Sequence, residues 1–269
     1  MKRVGLFVAS VMLSTTLWAQ SSIEKGLNVI NKENAEAYIG FLASDELEGR
    51  EAGFQGGRIA GEYIVSNLKT MGISPLNESY YQPFEAYNKE RQKRGRFQVH
   101  PDSIAQLKQG VHQKLSMRNI LGKIEGKNPN EYVIILQVAK AFLASGQQPE
   151  RTVIFAFWDG EEKGLLGSEY FVQNCSFLKD IKGYLNYDMI GRNSNEAVPE
   201  QVDYFYTEAN KAFGDWLKND IKKYNLNLKP IYHAWDKPVG GSDNGSFAKR
   251  EIPIIWYHTN GHPDYHMPS

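Results

Sequence analysis

The sequence predicts an α/β fold in which a central sheet is covered on both faces by helices. From Met117 onward, short apolar runs alternate with stretches of helical spacing. The runs Tyr132 to Ile135 and Thr152 to Phe157 lack polar alternation, as expected of strands buried on both faces. The apolar fraction, 41% of 269 residues, is enough for a sizeable core.

The elements follow in chain order. Lys2 and Arg3 precede a mostly apolar stretch, Val4 to Leu17, and a small residue, Ala19. This reads as a signal peptide over residues 1–19, so the mature chain is expected from Gln20 and outside the cytoplasm, in the periplasm or beyond the cell. Lys32 to Leu47 carries helical spacing through Ala35, Tyr38, Ile39 and Leu42. Glycines between Glu48 and Gly57 predict a loop, and a second helix runs from Arg58 to Met71, ended by Gly72. Tyr80 to Tyr87 and Arg96 to His100 are possible strands. Further strands are predicted at Asn119 to Ile124, Tyr132 to Ile135, Thr152 to Phe157, Tyr184 to Asp188 and Ile252 to Tyr257. Helices are predicted at Leu136 to Ser145, Leu166 to Asn174 and Glu208 to Tyr224. One domain is expected over 20–269, with 80–117 as a lid or edge insertion. The single cysteine, Cys175, can form no internal disulfide and reads as a core residue.

Charge excludes some functions. Lys plus Arg and Asp plus Glu both number 31, so nothing in the net charge draws the chain to nucleic acid or to an anionic membrane. The basic run Lys89 to Arg96 reads as a solvated loop. After the leader, no apolar run is long enough to span a bilayer.

The chemistry-bearing residues sit at predicted strand ends. Trp158-Asp159-Gly160-Glu161-Glu162 follows an apolar strand. Two adjacent carboxylates repel one another, and a metal ion would offset them, with one Glu as ligand and the other as base for a bound water. The pair also fits a charged turn that favours the start of the next helix. Asp188 ends a second apolar strand, just before Gly191; it could equally cap a loop. Thr259 to His266 follows a third strand and offers His262, Asp264 and His266.

These blocks resemble the zinc aminopeptidase family that includes bacterial leucyl aminopeptidases and has glutamate carboxypeptidase and glutaminyl cyclase among its relatives. The resemblance runs from about Ala37 to the end. It rests on Phe41 to Arg50, the Asp-Gly-Glu-Glu-x-Gly-Leu-x-Gly-Ser pattern of Asp159 to Ser168, Asn186 to Arg192, Gly240-Gly241-Ser242-Asp243 and His262 to Ser269. It implies a mixed, mostly parallel central sheet with helices on both faces, of the phosphorylase/hydrolase-like kind. It also implies cleavage of N-terminal residues from peptides by zinc-activated water, with two zinc ions. Glu161 is implied as the general base and Tyr265 as a stabiliser of the oxyanion. Glu162 and His266 are implied as ligands of one zinc and Asp188 as a ligand of the other. Asp243 is implied in a supporting place, and His258 and His262 fall outside the ligand set.

The sequence also departs from that family. Tyr132 to Ile135 runs directly into Leu136-Gln137-Val138-Ala139-Lys140, where the family has a His-x-Asp motif and an Asp-rich loop. The family's zinc-binding His and the Asp that bridges its two metals therefore lack counterparts, and Ser269 ends the sequence before the family's next Asp. A locally truncated sheet, strain or an exposed edge at the direct strand-to-helix join, and fewer or weaker zinc sites are the resulting expectations. Two alternatives stay open: an impaired homologue acting as a binding protein, and a glutaminyl cyclase-like enzyme.

Overall fold

The computed structural model describes residues 22–89, 96–135, 138–193, 195, 197–235, 241–263 and 265. They form two compact units. The first comprises the residues before Ser74 together with 138–149. The second, Ser74–Gln137 with Glu150–Ser269, contains the sheet.

The strands are β1 (Ser74–Pro75), β2 (Tyr81–Lys89), β3 (His112–Ile124), β4 (Asn128–Ile135), β5 (Arg151–Phe157), β6 (Ile181–Tyr187), β7 (Gln201–Thr207), β8 (Lys229–Trp235) and β9 (Ile254–His258). The helices are α1 (Lys32–Leu42), α2 (Gln55–Thr70), α3 (Pro101–Leu107), α4 (Ala139–Ser145), α5 (Leu166–Asn174), α6 (Lys211–Tyr224) and α7 (Asn244–Ala248).

In the first unit, Asn31 caps α1 by accepting from the Asn34 amide at 2.9 Å, and Phe41 stacks on Tyr63 of α2 at 4.2 Å. Helix α2 starts at Gln55, three residues before the predicted start. Its first turn passes so close to the preceding chain that a Cβ on Gly56 would lie 1.7 Å from the Leu47 carbonyl oxygen. The glycines that read as loop residues are there to permit this approach.

The sheet order is β1-β3-β5-β4-β6-β9-β7-β8, with β2 also on β3. The inner strands β5, β4, β6 and β9 are mutually parallel, so their carboxyl ends emerge along one edge. Antiparallel pairs flank them: β3 on β5 and β7 on β9. Segment 80–117 builds the outer margin, where β2 pairs with β3 from Tyr81↔Ile120 to Lys89↔His112. Within 96–100, a single bridge from Gln98 to Tyr87 replaces the possible strand.

Both faces of the sheet are covered. Tyr184, Phe205, Ile254 and Trp256 pack on one face with Phe171 and Val172 of α5 and Phe247 of α7. Tyr204 and Ile255 pack on the other with Phe213 and Leu217 of α6. Period-2 alternation along β7 and β9 assigns neighbouring residues to opposite cores. Strand β5 is buried on both sides, which explains its unbroken apolar run.

Strands β7 and β8 are absent from the sequence expectations for a physical reason. Asp203 interrupts the apolar pattern of β7, and Pro230 lies in β8. The carboxylate is tolerated because His233 pairs with it at 2.6 Å. The proline is tolerated because β8 ends the sheet. Helix α4 begins at Ala139 rather than at Leu136, and residues 136–137 of the direct join lie outside the described residues, as does the whole of 1–19.

Arg250 fastens α5 to the end of α7 by a two-pronged contact with Glu169, at 2.7 and 3.2 Å. Burial would raise the Glu169 carboxyl, but the hydrogen bonds from Arg250 and Gln173 outweigh it and keep it below the ordinary value. A depressed folded value contributes stability above the unfolded carboxylate range that is lost as pH falls through the folded value. We expect Arg250→Met to lower unfolding stability by about 1–2 kcal/mol at neutral pH and to remove this acid dependence, as measured by urea denaturation across pH 3–7.

Candidate active site

Parallel strands place their following loops side by side at the carboxyl edge, where ligands of open α/β sheets bind. Three such loops carry the predicted residues: the Glu pair after β5, Asp188 after β6 and residues 259–265 after β9. The Asp188 amide donates to the Tyr257 carbonyl at 3.1 Å, joining the second loop to the third strand.

The Glu pair rides on a tight turn. The amides of Gly164 and Leu165 donate to the Glu161 carbonyl at 2.9 and 2.8 Å, and Leu165 is left-handed (φ +58°). Buried Asn119 on β3 braces the base of this turn. Its Oδ1 accepts from the Asp159 amide at 3.2 Å, and its Nδ2 donates to the Gly167 carbonyl at 2.9 Å. Asp159 Oδ2 in turn accepts from the Arg118 amide at 3.0 Å.

Beneath the loops lies a polar network. Trp158 Nε1 donates to the Tyr184 hydroxyl at 3.0 Å, which donates to Asn186 Oδ1 at 3.3 Å. Asn186 Nδ2 donates to Ser242 Oγ at 2.8 Å. Ser168 and Ser246 hydroxyls meet at 2.9 Å. Ser242 thus meets strand β6 and Ser246 meets α5, and Asp243 between them is buried.

Burial pushes Asp243 up to about 7; a hydrogen bond from Ser168 opposes this and the charge of Asp188 adds to it. Burial likewise pushes Glu161 up to about 7, reinforced by the charges of Asp243, Glu162 and Asp188 and opposed by Arg96. The Tyr265 hydroxyl is raised by burial and then by Glu162, Asp188 and Glu161. Glu161, Glu162, Asp188, Asp243 and half-exposed Tyr265 therefore share one electrostatic site. A carboxyl titrating near neutrality is suited to accept and return a proton.

The remaining histidines differ. His266 lies outside the described residues. His258 Nδ1 accepts from the Asn260 amide at 2.8 Å, and so serves its own loop. His262 Nδ1 is buried without a hydrogen-bond partner among the described residues. Sequence reasoning missed the bracing residues Asn119, Tyr184 and Ser242; an asparagine within an apolar strand, as at Asn119 and Asn186, is the signal for such a brace.

The field of clustered carboxylates is one that a divalent cation would relieve. Among the described residues, however, no group of three or more His, Cys, Asp or Glu side chains could hold a metal ion. The described residues do not by themselves fit a zinc ion.

A profile described as Peptidase family M28 matches residues 128–269. The leupeptin-inactivating enzyme 1 of Streptomyces exfoliatus is 44% identical over 122 residues, covering 45% of this chain and 25% of that protein. The chain thus spans about a quarter of the length of that curated relative. Among solved structures, the aminopeptidase of Aneurinibacillus sp. strain AM-1 superimposes with a TM-score of 0.65 at 15% identity, over 92% of this chain and 90% of its own. BSAP, a zinc aminopeptidase from Bacillus subtilis, gives 0.62 at 14% identity, over 88% of each chain. At these identities the structural matches show the fold.

The first turn of α5 permits no side chain at Gly167. A Cβ there would lie 2.2 Å from Asn119 Oδ1 and under 3 Å from the Asp159 backbone, at 2.7 and 2.8 Å. We expect Gly167→Ala to cost about 3 kcal/mol in urea-unfolding stability, because it would push apart the turn that carries the Glu pair.

Proposed function

The chain belongs to peptidase family M28, and from that membership we propose that it is an aminopeptidase-type hydrolase that removes N-terminal residues from peptides. The observation that carries the reading is the convergence of Glu161, Glu162, Asp188 and Tyr265 at the carboxyl edge of the parallel strands. Glu161 takes the proton from the attacking water and returns it to the leaving amine. The Tyr265 hydroxyl donates to the oxygen that becomes negative as the carbonyl is attacked. Tyr265 is half-exposed, so a substrate can reach it from solvent.

Zinc is the metal proposed for this site, as in the Bacillus subtilis neighbour, with weak or altered coordination. Glu162 and His266 are the proposed ligands of one ion and Asp188 of the other, so each ion has fewer than the three protein ligands usual for catalytic zinc. Elemental analysis of the full chain after dialysis should find fewer than about two zinc ions per chain; a value near two would refute weak coordination.

The leader-like first residues support export to the periplasm or the medium. Among the described residues, no helix is long and apolar enough to cross a membrane. A second reading, an impaired homologue that binds peptides without cleaving them, draws support from the direct run of Ile135 into Leu136, where the resembling family has a His-x-Asp motif and an Asp-rich loop. Glutaminyl cyclisation has no separate observation in its favour.

Turnover of amino-acid anilides with added zinc separates the first two readings. Glu161→Gln should lower kcat by about 100-fold or more, with far-ultraviolet circular dichroism unchanged. Activity that survives this substitution would remove Glu161 from its role. A wild-type chain that binds peptides but turns over none would establish the second reading.

A further inference from the structure

Asp203 is a buried carboxylate, 5% exposed, that the hydrolytic reading leaves unused. Both of its oxygens are engaged. Oδ1 lies 2.6 Å from Nε2 of His233 on the neighbouring strand β8. Oδ2 accepts from Nδ2 of Asn260, in the loop after β9. A buried carboxylate that lost these partners would keep its desolvation cost uncompensated, so the partners are held firmly. His233 is further fixed by lying flat on Phe205, with ring centres 4.3 Å apart, and Phe205 stacks on Trp256 of β9 at 4.7 Å.

The Asn260 end of this link sits at a turning point of the chain. Asn260 is left-handed (φ +63°), a conformation that asparagine tolerates better than most residues. Its amide donates to Nδ1 of His258 at 2.8 Å. Next to it, the Thr259 amide donates to the Met189 carbonyl at 3.2 Å, and Thr259 Oγ1 reaches the carbonyls of Met189 and, at 2.7 Å, Arg192. The loop after β9 is therefore tied on one side to Asp203 and on the other to the loop that starts at Asp188. Five residues beyond Asn260, the Tyr265 amide closes a turn onto the His262 carbonyl at 2.9 Å.

We propose that Asp203 is a positioning residue that, through Asn260 and His233, fixes the 259–265 loop and so holds Tyr265 beside Glu161, Glu162 and Asp188. Its effect on turnover rests on the hydrolase reading; its effect on the loop does not. Asp203 touches no reacting atom, and it acts only through the geometry of that loop.

The test uses the full chain and spares Asp203 itself, since its removal from the sheet could prevent folding. Asn260→Gly keeps the left-handed backbone available but removes the side chain that reaches Asp203. His233→Phe keeps a ring on Phe205 but removes the donor, whereas His233→Gln retains a side-chain N–H. A hydrogen bond to a charged group is worth about 10-fold or more in an opening equilibrium. Asn260→Gly should therefore speed amide exchange of Thr259 and Tyr265 by about 10-fold, with exchange in β5 unchanged. With amino-acid anilides, Asn260→Gly and His233→Phe should lower kcat by about 10-fold and move KM by less than about 2-fold, and His233→Gln should restore most of the loss.

Unchanged loop exchange in Asn260→Gly overturns the proposal. So does acceleration shared equally by β5, or faster loop exchange with kcat unaltered in a wild-type chain that turns over. If the wild-type chain has no turnover, the hydrolase reading fails and the exchange measurement alone decides whether Asp203 positions the loop.

Discussion

Several carboxylates, from exposed Glu162 through partly buried Glu161 and Asp188 to buried Asp243, crowd one edge of the sheet, and much of the structure is arranged around that constraint. Glu161 and Asp243 are both pushed up to about 7, first by burial and then by like charges nearby. Such a cluster persists only if the backbone that carries it is held against the repulsion. Asn119, through three hydrogen bonds to Asp159, Gly167 and Gln82, holds the turn of the Glu pair. The chain from Trp158 through Tyr184 and Asn186 to Ser242 ties the segment bearing Asp243 to the strand that Asp188 follows.

The same geometry underlies the proposed role of Glu161. A surface glutamate is a weak base near neutral pH, and its proton affinity rises when water is excluded and negative charge is close. At Glu161 partial burial and the nearby charges of Asp243, Glu162 and Asp188 act together. Buried Asp203 shows the opposite treatment of a charge. It lies within the sheet, with each oxygen satisfied by a side chain from a different element. One arrangement leaves carboxylates close together, and the other gives each carboxylate oxygen a side-chain partner.

Much of this was legible residue by residue. The apolar runs of β5 and β9 marked strands because each is covered on both faces, and the Glu pair and Asp188 were recognisable just past the ends of such runs, whereas Tyr265 was named only through the resemblance to a family. Strands β7 and β8 were illegible because what makes Asp203 acceptable in a strand is His233, thirty residues away in sequence. The start of α2 was misplaced because two glycines in succession look like a loop until the close approach of the Leu47 backbone is known. Asn119 and Ser242 could not be recognised as braces, since a hydrogen-bonding side chain has no visible partner in a linear pattern.

The sequence patterns carried the α/β class, the Glu pair and Asp188 at strand ends, and the strand that runs from Ile135 into Leu136 with no turn residue between; the separate acid-base and ligand roles came from the resemblance to a family. Such patterns are local properties: periodicity, residue type and spacing survive in one dimension. Only the tertiary structure decided that Glu161 lies within the field of Glu162, Asp188 and Asp243, that His258 is engaged by its own loop, and that Asp203 reaches Asn260. Desolvation, like-charge repulsion and hydrogen bonding act through space between strands that the sheet order, not the chain order, makes neighbours.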